Sequence, residues 1–283
     1  MSASKEALSF WADGLERGRK ISALLEKEIG SLEGKKVLDL GCGLGGISIS
    51  FKEKSAGVFS IDSDNERIIG LKKRLSESNI KGIFPLQADA TDLPFLNDTF
   101  DLIIINGVLE WVGWGKDKNP LLLQYQVLGE AIRVLRKAGI LYLAIENRFY
   151  PVNLFRDPHL KIPFVAMLPY EIASGFSYLM IGKPYQTPIY SYWRLKSMLR
   201  EAGFAKISMY AGLLHYQYPV LSISLEKECP RFLQKKDTLK LIAEYNKFNL
   251  KKGLSAKILF LKIIFLLGLA RIFVHSFIVL AEK

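Results

Sequence analysis

The run Val37-Leu38-Asp39-Leu40-Gly41-Cys42-Gly43-Leu44-Gly45-Gly46 decides how this chain is read. A short apolar stretch leads straight into a glycine turn, and Ile47 to Phe51 continues apolar beyond it, the pattern of a strand, a tight turn and a helix start. Gly41 and Gly43 remove Cβ atoms where the chain reverses, so a flat or extended ligand can lie against the backbone. Gly41, Gly43 and Gly46 also satisfy GxGxxG, a spacing shared with dinucleotide sites. Asp39 separates the two readings, because a carboxylate just ahead of the turn repels a pyrophosphate and favours a cationic group such as an α-amine.

Working outward, Lys36 to Leu40 is the first strand, Gly57 to Asp62 a second, Phe84 to Ala88 a third and Phe100 to Asn106 a fourth with a continuous apolar run. Helical spacing covers residues 1 to 30, about Asp64 to Ser76, and Leu121 to Leu135, the last closed by Lys137-Ala138-Gly139 before a fifth strand at Ile140 to Ile145. Alternating strands and helices predict an α/β fold with a doubly wound, mostly parallel sheet. After Glu146 the chain turns proline- and aromatic-rich without a period, which predicts an irregular, substrate-facing insertion. Regularity returns with a helix at about Ser191 to Ala202 and a strand at Phe204 to Tyr210.

Asp62 follows Asp39 at the end of the second strand, and a carboxylate there can accept from both hydroxyls of a ribose. Asp89, after the third strand, can accept from an adenine amine, with Ala88 and Ala90 leaving room for the ring. Acids at three successive strand ends converge on one crevice. S-adenosylmethionine suits them: it carries an amine, a sulfonium and a ribose, and no phosphate.

VLDLGCGLGG, FSIDSDNE, QADATDLPF, FDLIIINGVLEWV and RVLRKAGILYLAIENR, in that order, resemble the motif series of class I S-adenosylmethionine-dependent methyltransferases over residues 34 to about 150. The resemblance implies a seven-stranded sheet with an antiparallel last strand, for which SFIVLAEK is in place. It implies that Asp39 and the backbone at Gly41, Cys42 and Gly43 hold the methionine end. Asp62 and Ser63 would then take the ribose, Asp89 and Ala90 the adenine, with Asn106 closing the fourth strand's end. Where many relatives carry a histidine after the glutamate of this segment, the chain has Glu110-Trp111, and ENR at 146 to 148 followed by Asp157-Pro158-His159 is similar to a bacterial small-molecule and glycan-pathway subgroup.

Methyl transfer from a sulfonium is an in-line displacement that needs proximity and desolvation more than a covalent residue. A hydroxyl acceptor still gains from a base, and the histidines are His159, His215 and His275. His159 sits in the insertion beside Asp157, which can orient it. With Glu146 at the end of the fifth strand it is the catalytic candidate; Asn147, and Arg19 or Arg148 for an acidic acceptor, are further candidates. His275 abuts the last strand and is read as structural. No HxxxH spacing or Asp cluster occurs, so no metal is expected.

The chain holds 39 Lys plus Arg and 28 Asp plus Glu, a formal charge of +11. From Glu226 onward there are 12 bases and 5 acids, so the excess is mostly C-terminal, and the absence of a basic run or ribonucleoprotein signature points away from nucleic acid. Cys42 and Cys229 form no paired spacing, and no signal-like apolar run opens the chain, so a reducing, cytoplasmic setting is expected. Ile258 to Ala281 is long enough to cross a bilayer, but Lys262 and Arg271 oppose a span. It reads instead as a helix from Ser255 to about Leu267, a break at Gly268 and a last strand at Phe277 to Ala281, with peripheral membrane contact open to the basic apolar helix.

The organisation expected is one domain, 1–283: an N-terminal helical segment (1–33), a cofactor-binding core (34–148), acceptor-binding insertions (149–190 and 211–254) and an apolar helix with the final strand (255–283). The function expected is methylation, by preference O-methylation, of a small molecule, lipid or glycan. An NAD(P)-dependent oxidoreductase and a catalytically silent scaffold at a membrane surface are the alternatives.

Overall fold

A computed structural model describes residues 5–55, 57–213, 216, 221–226 and 254–283. Its sheet has the order β3-β2-β1-β4-β5-β8-β6-β7. β1 (Lys36–Leu40), β2 (Gly57–Asp62), β3 (Ile83–Gln87), β4 (Phe100–Asn106) and β5 (Leu135–Glu146) run parallel. β8 (Ser276–Glu282) inserts antiparallel between β5 and β6 (Lys206–Leu213), so the C-terminal strand lies where the resemblance placed it. β7 (Leu221–Ser224) adds an eighth strand at the edge, antiparallel to β6, beyond the seven expected.

The central strands are apolar because both faces are covered: Leu102, Ile103, Ile104 and Ile105 are all fully buried. Each such side chain contributes about 1.5–3 kcal/mol by leaving water. One face packs α4 (Pro120–Val134) and α6 (Tyr192–Glu201), and the other packs α1 (Lys5–Ile29), α2 (Gly46–Lys52) and α3 (Asn65–Glu77). α1 lies on α2 through glycine: a Cβ on Gly46 would stand 2.7 Å from the Cα of Gly14, and one on Gly18 would stand 1.8 Å from Ser50 Oγ. The third glycine of GxGxxG is therefore there for helix–helix approach.

α4 ends at Val134, and Leu135 already begins β5. Lys137-Ala138-Gly139, expected as a helix stop, instead belong with Arg136 to a bulged start of that strand, with Ala138 at φ 59°. Tertiary partners hold it there: Arg136 pairs with Asp101 at 2.8 Å and Lys283 donates its backbone N–H to Gly139. The expected irregular insertion contains α5 (Tyr170–Ile181). At the C-terminus α7 (Leu254–Leu266) is followed by Gly268 at φ 69° and a short α8 (Ala270–Phe273). No helix among the described residues is long and apolar enough to cross a membrane.

Candidate functional site

A cavity of about 730 Å³ opens at the C-terminal ends of β1, β2 and β4, where the strand order reverses. Its floor is the glycine turn. Gly41 and Gly43 have φ of 77° and 54°, values other residues adopt at a cost, and a Cβ on Gly43 would point into open space. Cys42 is buried and its thiol donates to Gly43 O at 3.7 Å; burial beside Asp39 and Asp62 pushes the thiol far up, so it is inert.

Asp62 lines the cavity and accepts from the backbone N–H of Gly43 at 2.9 Å and of Asp64 at 3.0 Å, with Arg67 at 3.5 Å. These bonds fix the carboxylate beside the turn and leave lone pairs for a ligand. Ser63, Ala88, Asp89 and Ala90 line the same wall. Asp89 accepts from Thr91 N–H at 2.9 Å and from Lys116 Nζ at 2.6 Å. Partial burial raises its pKa, but the bonds from Lys116 and Thr91 outweigh that and hold it below the usual range. Asn106 is buried at the cavity's inner edge, and neither its Oδ1 nor its Nδ2 has a partner among the described residues. An open glycine cradle and an orphaned amide are what a bound extended cofactor would complete.

Asp39 departs from its expected place. Only 2% exposed, it accepts from Ser48 Oγ at 2.5 Å, and Ser60 Oγ in turn donates to Ser48 at 2.8 Å. The carboxylate ties β1 to α2 beneath the turn and is not part of the cavity wall; burial pushes its pKa up to about 6. Arg17 and Gly14, from α1, line the cavity instead. Sequence reasoning missed both, because a helix before the first strand carries no motif signal. Gly14 also crowds the start of α2, where a pyrophosphate would need free N–H groups.

The catalytic candidates His159 and Glu146 meet in space. His159 Nε2 lies 3.7 Å from Glu146 Oε2 and 4.0 Å from Glu110 Oε1, with all three side chains nearly or wholly buried. Glu110, missed from sequence, sits on a 3-10 turn (Leu109–Trp111) just after β4. Gln124 of α4 fixes that turn to the insertion, donating to Leu109 O and Pro188 O at 3.0 Å each. Burial, then the facing carboxyl of Glu146, raises Glu110 well above the usual range; burial raises Glu146 too and lowers His159 to about 4. Trp111 stands edge-on to the imidazole, ring centroids 4.7 Å apart, and also lines the cavity with Trp114 and Tyr216.

Asp157 orients His159 through the backbone, accepting its N–H at 2.9 Å and that of Leu160 at 2.5 Å. Other candidates prove architectural. Asn147 Nδ2 donates to Ile272 O and Val274 O at 2.7 Å each, pinning the C-terminal segment. Arg148 donates to the carbonyls of Met167 and Leu168, and Arg19 pairs with Glu53 at 3.4 Å, so neither is placed for an acidic acceptor. His275 packs on Tyr150, as a structural residue does. His215 and most of the 211–254 insertion lie outside the described residues.

Fold and crevice define a class, the class I S-adenosylmethionine-dependent methyltransferases. The chain belongs to the family described as "Methyltransferase domain", which matches residues 31–193. The ubiquinone/menaquinone biosynthesis C-methyltransferase UbiE of Vibrio vulnificus is 31% identical over 193 residues, covering 64% of this chain and 68% of that protein. The demethylmenaquinone methyltransferase of Thermus thermophilus is 31% identical over 207 residues, covering 70% and 84%. The solved S-adenosylmethionine-dependent methyltransferase of Mesorhizobium loti shares the fold at TM-score 0.53 and 15% identity, over 92% of this chain and 96% of that one. This protein is an enzyme, and its cofactor is S-adenosylmethionine.

Proposed function

We propose that the enzyme methylates a small hydroxylated aromatic acceptor, at the hydroxyl oxygen or at the ring carbon beside it. The observation that carries this reading is the aromatic wall of Trp111, Trp114 and Tyr216 facing the cofactor cavity, with Glu110, Glu146 and His159 directly behind Trp111. A flat ring stacks on such a wall, and its hydroxyl finds a polar group at the far end. Two relatives named for steps on quinone-type molecules support the same acceptor class.

On the cofactor side, Asp62 and Ser63 take the ribose, Asp89 and Ala90 the adenine, and Asn106 with the backbone at Gly41, Cys42 and Gly43 the methionine end. Arg17 faces the methionine carboxylate, and Asp39 acts from beneath as a positioning residue that sets the turn. Bound there, S-adenosylmethionine supplies an electrophilic methyl group. The chain orients the acceptor in line with it and excludes water. The test is label transfer from methyl-labelled S-adenosylmethionine to a panel of phenols, quinols, glycans and lipids, with product NMR locating the methyl. Transfer to glycans alone sinks the aromatic reading.

A lipid-borne acceptor is favoured by a further observation. On α5, Ile172, Tyr178, Leu179 and Met180 are exposed, Leu179 by 85%, and on α7 Leu259, Ile263 and Leu266 share one exposed face with Lys262. An apolar face edged by lysine suits an anionic membrane surface. Co-sedimentation with phosphatidylglycerol vesicles and not with phosphatidylcholine vesicles is the expected outcome; equal recovery in the supernatant overturns it.

A further inference from the structure

Glu110, Glu146 and His159 come from three separate elements, yet each places a ligand atom within 4.8 Å of the other two. The imidazole Nε2 stands 3.7 Å from one carboxyl and 4.0 Å from the other. Two donors on one first-row divalent ion stand roughly 3–3.5 Å apart, given bonds of about 2.0–2.2 Å, and small rotations of the two carboxyls span the difference.

The packing leaves this cluster incomplete. Glu110 is fully buried, and neither of its oxygens has a hydrogen-bond partner among the described residues; Glu146 Oε2 is in the same state. The carboxyls of Glu110 and Glu146 face each other, and the Tyr216 hydroxyl lies beside both. Asp157, buried next to the cluster, adds a third acid to the region. Two buried carboxyls and an imidazole facing one point offer a cation three donors. Trp111 packs edge-on against the imidazole and restrains its ring, while Gln124 holds the turn that carries Glu110.

We infer that Glu110, Glu146 and His159 hold a divalent transition-metal ion. Two carboxylates with one imidazole suit Mn²⁺, Fe²⁺ or Zn²⁺ better than Mg²⁺ or Ca²⁺, which prefer all-oxygen shells. Sequence spacing gives no hint of such a site, because its members are separated by 36 and 13 residues and join only through the end of β5 and the insertion. The inference deepens the proposed function, since the ion would lie behind Trp111, which lines the cofactor cavity.

The test uses the full chain, stripped with EDTA and titrated with Mn²⁺ alone, free ion being read by electron paramagnetic resonance. Saturable binding of a single ion is expected, weakened roughly tenfold or more by Glu110→Gln and by His159→Ala. S-adenosylhomocysteine binding, unchanged in the same variants, shows that they are folded. If a variant loses that binding, the wild-type titration decides, with Zn²⁺ as a second probe. No saturable binding of either ion, or equal binding in folded variants, overturns the inference. Full methyl transfer by the stripped enzyme overturns the metal and leaves the acceptor reading standing. Metal binding without transfer to any hydroxylated aromatic does the reverse.

Discussion

The cofactor crevice and the cluster behind Trp111 are built by different means. In the crevice, short stretches do most of the work: the turn from Gly41 to Gly46 offers backbone, and Asp62 at the end of β2 is fixed by the N–H groups of Gly43 and Asp64. In the cluster, Glu110, Glu146 and His159 arrive from three elements, with Gln124 holding the turn that carries Glu110 and Asp157 the backbone of His159. The first draws on distant sequence only for Gly14 and Arg17 of α1 and for the support of Asp39 by Ser48 and Ser60. The second is a tertiary assembly, and disturbing any of its supports should disturb all of it.

Glu146→Gln carries the largest effect expected. Methyl transfer should fall by roughly 10²-fold or more if the cluster activates the acceptor, while calorimetry finds S-adenosylmethionine affinity unmoved. Loss of both together would merge the two regions into one. Asp62→Ala should do the opposite. Removing two charge-assisted bonds to the ribose costs about 3 kcal/mol, roughly a hundredfold in cofactor affinity, with the acceptor KM left alone.

Asp39 tests whether the cofactor end is set from below. Its carboxyl rises from 3.8 unfolded to about 6 folded, mainly through burial. The folded chain therefore holds this proton more tightly, so the stability it contributes is present below pH 3.8 and lost as pH rises through about 6. The size is about 3 kcal/mol. Melting temperatures of Asp39→Asn against wild type between pH 4 and pH 7 should diverge as pH rises, the variant being the more stable at pH 7. Parallel curves would show that Ser48 and its neighbours ionise Asp39 at no cost. The smallest effect expected is Trp111→Ala, a rise of about tenfold in acceptor KM from the loss of one stacking face.

The motif series from VLDLGCGLGG to AIENR was enough to read the parallel sheet, the glycine turn and the acids at the ends of β1, β2 and β3, because each signal is contained in a few adjacent residues. His159 and Glu146 were legible as candidates by residue type. Their meeting was not, nor was Glu110, which in sequence is one acid beside an aromatic. The place of Asp39 was misread for a related reason: a side chain in β1 can face the crevice or α2, and only Ser48 and Ser60 across the layer decide which. The bulge at Arg136 to Gly139 likewise needed Asp101 and the C-terminal strand to draw it into the sheet.

Hydrophobic periodicity builds the strands and glycine's freedom of φ builds the turn, so the cofactor half follows from local properties of the chain. The rest of the site follows from packing. Helix α1 closes the cavity with Gly14 and Arg17, and three buried ionisable groups converge behind Trp111. Contacts across tens of residues are fixed by packing of the whole core, and burial, which raises the pKa of Asp39 and Glu110 and lowers that of His159, exists only once that core has formed.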